Sequence, residues 1–238
     1  MELDANFPLQ RFRLAPGVHL AVADGFGVFL DLNNDDYTAV PLVSDAGTPQ
    51  RVLDRLQPHL ASLVEAGLLE EYVQAVFDLP TIPSRSGGIG QIFDDSDRRP
   101  FGLPGREGKG LKPSFNETVG VLLACRRASN LLQARSISQV VEAVVRRKPQ
   151  LKSAGLRCPL QHHVEIFHRV RPLFPAPYLC LRDSLALIEY LAAKRCAIDW
   201  IFGVQMQPFG AHCWIASGNT LLNESVEFAA QFTPIMRV

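Results

Sequence analysis

The sequence predicts an α+β protein built from two modules. Three observations predict it. Short alternating runs precede helical spacing in residues 1–80. A Gly/Pro-rich stretch follows over 81–112, and residues 113–238 run the other way, helical spacing first and strand alternation last.

His19–Val22 and Gly27–Leu32 alternate around Asp24-Gly25, a dipeptide suited to a tight hairpin. Asn33 to Asp36 reads as a turn, and Tyr37–Val43 as a third, edge-type strand carrying Pro41. Val52, Leu53, Leu56, Leu60, Leu63 and Val64 recur at helical spacing, with Gly67 as the stop. Leu68–Phe77 suits helix or strand equally. The segment around SRSGGIGQIFDDSDRRPFGLPGREGKG reads as a flexible linker.

Beyond it, Val119, Leu122, Leu123, Leu131 and Leu132 mark one or two helices. Ile137, Val140, Val141, Val144 and Val145 mark another, ended by Arg146-Arg147-Lys148-Pro149 as a solvated basic terminus. A helix is expected over Pro159–Arg169, then a break at Pro172, Pro175 and Pro177. Leu181–Lys194 follows as an amphipathic helix with Cys180 just before it. Ile198–Gln207 alternates as a strand, and Ala211–Ala216 and Thr220–Glu224 form a hairpin around Ser217-Gly218-Asn219.

Net charge is zero, but residues 1–80 carry four basic and twelve acidic residues, and the remainder twenty and twelve. An acidic first module is a poor ligand for phosphate backbones, so no nucleic-acid partner is expected. No run approaches a membrane span, the N-terminus lacks a basic-then-apolar pattern, and the five cysteines form no C-x-x-C pair. A reduced, cytoplasmic chain with no membrane partner is the expectation, with Cys125, Cys196 and Cys213 as core residues.

The chemistry concentrates in the last quarter. Cys180 at a helix start gains thiolate stabilisation from unpaired backbone N–H groups. An imidazole from His212 would add to it, and Asn223 or Glu224, reached across the hairpin, would hold the ring. Alternation places His212, Trp214 and Ala216 on one face and Cys213 on the other. The backbone N–H of Cys180 and the side chain of Gln207 are the candidate oxyanion donors.

These residues carry a resemblance. Cys180, Ser184, Ala186 and Leu187, then Gly203, Val204, Gln207, Pro208, Phe209, His212 and Trp214, then Asn223 and Glu224, resemble the protease of the lasso-peptide maturation B proteins over roughly 178–226. The resemblance implies a transglutaminase/papain-like cysteine protease domain with Cys180 and His212 catalytic. The family's Asp falls on Glu224, a departure one methylene longer, and Asn223 is the other ring-holding candidate. It also implies an N-terminal winged-helix module that binds the leader of a ribosomally made precursor. DGFGVFLDLNNDDYTAV resembles that module. Strand addition at Tyr37, Thr38, Ala39 and Val40, beside Leu60 and Val64, is the implied leader groove. The implied partners are the precursor and an asparagine-synthetase-like lasso cyclase, with cleavage after a leader whose penultimate residue is Thr.

Two other readings stand beside leader removal. The same three groups serve acyl transfer to an amine, and a scaffold whose triad is vestigial would bind peptide without cutting it. No cofactor is expected. Cys158, His162, His163 and His168 cluster, but their spacing matches no standard zinc ligand set, so no metal is expected either.

Overall fold

A computed structural model of the chain describes residues 12–42, 55–71, 112–152 and 159–238. The expected linker falls outside these residues except for Lys112, as do Val52, Leu53 and Cys158. The N-terminal part holds β1 (Phe12–Leu14), β2 (Val18–Ala23), β3 (Phe26–Asp31), β4 (Asp36–Pro41), α1 (Leu60–Glu65) and β5 (Leu69–Glu71). β2, β3 and β4 form an antiparallel meander, and β1 pairs with β5. The ambiguous stretch after Gly67 therefore opens as strand, entered through a glycine at φ +71°.

β3 is buried on both faces, which explains its nearly unbroken apolar run. Phe29, with Leu20 and Val40, packs beneath Leu60 and Leu63 of α1. The opposite face, carrying Ala21, Val28, Leu30 and Leu32, is continuous with the main core of the C-terminal half. The first module is thus joined to the second through a shared apolar core as well as through the chain. The Met206 N–H donates to Asp24 (3.2 Å), and the Tyr37 ring meets Phe209 edge-on at 5.7 Å.

The C-terminal half contains α2 (Phe115–Ala134), α3 (Ile137–Lys152), α4 (Leu160–Val170), α5 (Cys180–Ala193), β6 (Asp199–Met206), β7 (Phe209–Ser217), β8 (Thr220–Leu221), α6 (Val226–Ala229) and β9 (Thr233–Arg237). The strands lie in the antiparallel order β8-β7-β6-β9. α2 begins at a capping box in which Ser114 and Glu117 satisfy each other's backbone N–H groups. α5 is buried along most of its length, with Leu185, Leu187 and Leu191 fully enclosed against α2 and the sheet.

Three expectations need correction here. α3 does not stop at its basic cluster but runs to Lys152. Two of its three cations face the fold instead of water: Arg147 pairs with the buried Glu189, and Lys148 with Asp199 and the Val238 carbonyl, while Arg146 stays exposed and pairs with Glu142 of the same helix. The partners of Arg147 and Lys148 come from α5, β6 and the last residue, so local sequence carried no sign of them. Cys196 is buried as expected but is disulfide-bonded, so the wholly reduced chain does not hold. Finally, β8 is two residues long, so Asn223 and Glu224 sit in the turn between β8 and α6 and not on a strand. Among the described residues, no helix is long and apolar enough to cross a membrane.

Candidate active site

Cys180 is the first residue of α5, with Leu179 as the N-cap in extended conformation. The first helical hydrogen bond is from Asp183 N–H to the Leu179 carbonyl, so the N–H groups of Cys180, Leu181 and Arg182 have no intrahelical acceptor. The approach to this helix start is held by Arg171, which is 3 % exposed. Its guanidinium pairs with Asp183, donates to the carbonyls of Phe174, Ala176 and Pro177, and lies 4.3 Å from the Tyr178 ring centroid. Asp183 accepts from the Leu179 N–H at 2.8 Å with its other oxygen. One buried cation therefore fixes the proline-rich entry and neutralises a carboxylate less than one turn from the thiol. Sequence reasoning missed Arg171, because an arginine between two apolar segments ordinarily reads as surface. Arg171→Ala leaves Asp183 without its buried partner and is expected to cost about 3–5 kcal/mol, read from denaturant unfolding.

His212 lies on β7 opposite Gly203 of β6. A Cβ on Gly203 would come within 2.7 Å of the Trp214 ring and 2.9 Å of Phe232 Cβ, so the glycine admits the indole that stacks beneath the imidazole. Phe228 and Phe232 enclose the ring from further sides at 5.1 and 5.2 Å between centroids. The His212 Nε2 lies 2.9 Å from Glu224 Oε2, and the other Glu224 oxygen accepts from the Ser225 N–H. This assigns Nε2–H as donor and leaves Nδ1 for the sulfur.

The Cys180 sulfur meets the His212 ring, the Cys213 thiol and the Cys213 backbone N–H. The strand geometry explains how one atom meets groups on two faces. The Ile215 N–H points to the β8 side of β7, so the Cys213 N–H, two residues earlier, does the same. β8 pairs only with Ala216 and Ser217, which leaves that edge open at Cys213. The start of α5 packs against β7, with Ser184 bonded to the Cys213 carbonyl, and so brings Cys180 to this edge. From there it reaches His212 on one face and Cys213 on the other.

The electrostatics follow from these contacts. The Cys213 thiol, against which burial works, and then the His212 ring and the Cys213 N–H, bring the Cys180 thiol down to about 4. Burial pulls the His212 imidazole down, but Cys180 and then Glu224 outweigh it and the ring is held above its ordinary value. Burial pushes Cys213 up, and its proton donated toward Cys180 raises it further. The arrangement favours a thiolate–imidazolium pair, with Cys213 as the protonated donor beside it.

Asn223 does not hold the imidazole. Its Oδ1 accepts from Ile215 N–H (2.8 Å) and its Nδ2 donates to Ser184 Oγ (3.0 Å), which donates to the Cys213 carbonyl (3.2 Å). Asn223 thus completes the β7 ladder where β8 ends and ties the sheet to α5. Gln207 is also displaced. It is exposed at the β6–β7 turn, four residues beyond Gly203, or about 13 Å along the strand from His212. It cannot serve as an oxyanion donor from there.

A cleft of about 190 Å3 opens in front of Cys180 and His212. Phe202 and Leu181 line it together with Leu30 and Tyr37 of the N-terminal sheet and Asp35 of the turn between β3 and β4. Burial first, then the charges of Cys213, Asp35 and Cys180, push the Tyr37 hydroxyl up to about 12. Of the six residues expected to bind leader, Tyr37 belongs to this cleft. Val40 and Leu60 are buried in the cluster beneath α1, with Val64 packed against it. Thr38 and Ala39 lie on the edge strand β4, whose outer side pairs with no described strand.

A nucleophile at a helix start, a strand-borne imidazole and a carboxylate in the following turn thus share one pocket. A family model described as the transglutaminase-like superfamily matches residues 119–237, half of the chain. The chain belongs to the transglutaminase-like superfamily. Cys180, His212 and Glu224 all fall inside the matched segment, and a superfamily domain of this kind is compatible with a cysteine protease or an acyltransferase. No curated protein and no solved structure gives a significant match.

Proposed function

We propose that this protein is a cysteine peptidase that removes the leader of a ribosomally made lasso-peptide precursor. The observation that carries the peptidase reading is the thiol of Cys180 lying between His212 and the Cys213 N–H. The precursor class rests on the lasso-maturation resemblance over 178–226.

In this reading the Cys180 thiolate attacks the scissile carbonyl. The developing oxyanion is met by the Cys180 N–H and its neighbours in the first turn of α5, which replaces the role given to Gln207. His212 passes its Nδ1 proton to the leaving amine, the leader remains as a thioester, and water activated by the same ring releases it. Glu224 holds the ring through Nε2–H. Asn223 and Ser184 position β7 without touching the reacting atoms. The N-terminal part, as a winged-helix-type recognition module, takes the leader along β4 at Thr38 and Ala39 beside Val40, Leu60 and Val64. Tyr37 faces the chain as it enters the cleft. A lasso cyclase of the asparagine-synthetase type is the proposed partner that uses the freed amine.

Incubation with a precursor peptide, with products read by mass spectrometry, tests this. Free leader plus free core is expected. An amine-modified leader without hydrolysis would transfer the reading to acyl transfer, and no reaction with bound peptide would leave a scaffold. Glu224→Gln separates orientation from charge. Its amide oxygen still accepts Nε2–H, so kcat is expected to fall only about tenfold, against about a hundredfold for Glu224→Ala. Because Glu224 contributes to raising the His212 pKa, its loss lowers that value and moves the alkaline limb of the pH–rate profile to lower pH.

A further inference from the structure

We propose that Glu117, His162 and His163 form a binding site for a transition-metal dication of the zinc class, at the junction of α2 and α4. The ligand atoms of the three side chains lie within 4.8 Å of one another. His162 Nε2 is 2.8 Å from Glu117 Oε1. The other Glu117 oxygen is held by the N–H and hydroxyl of Ser114, at 2.8 and 2.7 Å, so the capping box orients the carboxylate as an outer-shell partner orients a ligand. The site is remote from the thiol. Tyr190, packed against it, lies ten residues along α5 from Cys180, about 15 Å.

Lys194 is the competing cation, 5.6 Å over the Tyr190 ring.

A second observation points the same way. His163 Nδ1 and the Tyr190 hydroxyl are buried without a hydrogen-bond partner. Tyr190 is 2 % exposed and its ring meets His163 edge-on at 6.0 Å. Orphaned polar atoms of this kind are costly, and here one belongs to a proposed ligand and the other to the ring packed against it. A cation on these ligands, with its bound water, gives both a partner. Two imidazoles and one carboxylate suit zinc, cobalt, nickel or copper, and not magnesium or calcium.

The sequence drew attention to this histidine pair in the wrong company. His168 bonds the Leu222 carbonyl at 3.0 Å instead, and the carboxylate comes from 45 residues upstream of His162.

The test is calorimetric titration of the full chain with zinc chloride, in a Cys180→Ala background so that the active-site thiolate does not compete. One zinc per chain at micromolar Kd is expected, with Tm rising by about 5–10 °C at a hundredfold excess over Kd and no response to magnesium. Glu117→Gln keeps the capping box, and His162 is exposed, so both variants should fold. Each is expected to weaken zinc at least about a hundredfold and remove the Tm shift, with the metal-free circular dichroism unchanged. Unchanged affinity in both variants would mean an adventitious ion only and overturns the site, as does a Tm that zinc does not move.

Discussion

Cys180→Ala is expected to lower precursor turnover by at least about 10^4-fold while leaving peptide binding and the fold in place. The size follows from what is lost. Among the described residues, Cys180 is the one free cysteine that is not buried, and its sulfur lies at the start of α5 against His212. Cys213 does not replace it, because its thiol is enclosed and held protonated. The alanine side chain removes no hydrogen bond of the Arg171–Asp183 hub, so helix entry survives. Single-turnover assays with binding measured in parallel check both halves. Undiminished cleavage by the alanine variant would remove Cys180 from the reaction.

His212→Ala should cost a comparable factor in turnover, about 10^3–10^4-fold, by a different route. Two of the groups that favour the thiolate, the Cys213 thiol and its backbone N–H, survive the substitution. The sulfur therefore stays more acidic than an ordinary thiol, but its pKa rises from about 4 because the imidazolium is gone. The variant should alkylate at neutral pH yet fail to turn over, having no proton donor for the leaving amine.

The signs for the wild-type profile follow. Cys180 is depressed, so the thiolate appears as pH climbs through about 4. His212 is raised above 6.5, so the imidazolium is lost as pH climbs through that higher value. Activity should be bell-shaped between these limbs, and His212→Ala should abolish the alkaline one.

Much of the site was legible because its parts are local. A cysteine ahead of an apolar-faced helix, a histidine in an alternating run and a hairpin with a polar return are each encoded within about ten residues. Whether Asn223 or Glu224 faces the ring was not. That depends on β8 ending after Leu221, which leaves Asn223 to finish the ladder at Ile215 and swings Glu224 outward to His212. Alternation put Cys213 on the face away from His212, but nothing local showed that the β7 edge opens there and lets Cys180 touch both. β9 was missed because Thr233–Arg237 contains a proline and pairs with β6 some thirty residues earlier, with a register shift at Gly203. Arg171 and Glu117 were missed for a related reason. Glu117 meets a histidine 45 residues on, and Arg171, although its partners lie within twelve residues, carries no local sign that it will be buried.

The central claim is that the Cys180 sulfur is a thiolate paired with His212 at physiological pH. The most direct test is the rate of iodoacetamide alkylation at Cys180 against pH, read by peptide mass spectrometry. At pH 6 an ordinary thiol with a pKa near 8.5 is roughly 0.3 % thiolate, whereas Cys180 should be almost wholly ionised. Labelling that holds nearly constant down to about pH 5 and falls only near pH 4 is the predicted result. Labelling that titrates near 8.5, or that is no faster at Cys180 than at Cys213 at neutral pH, would contradict it.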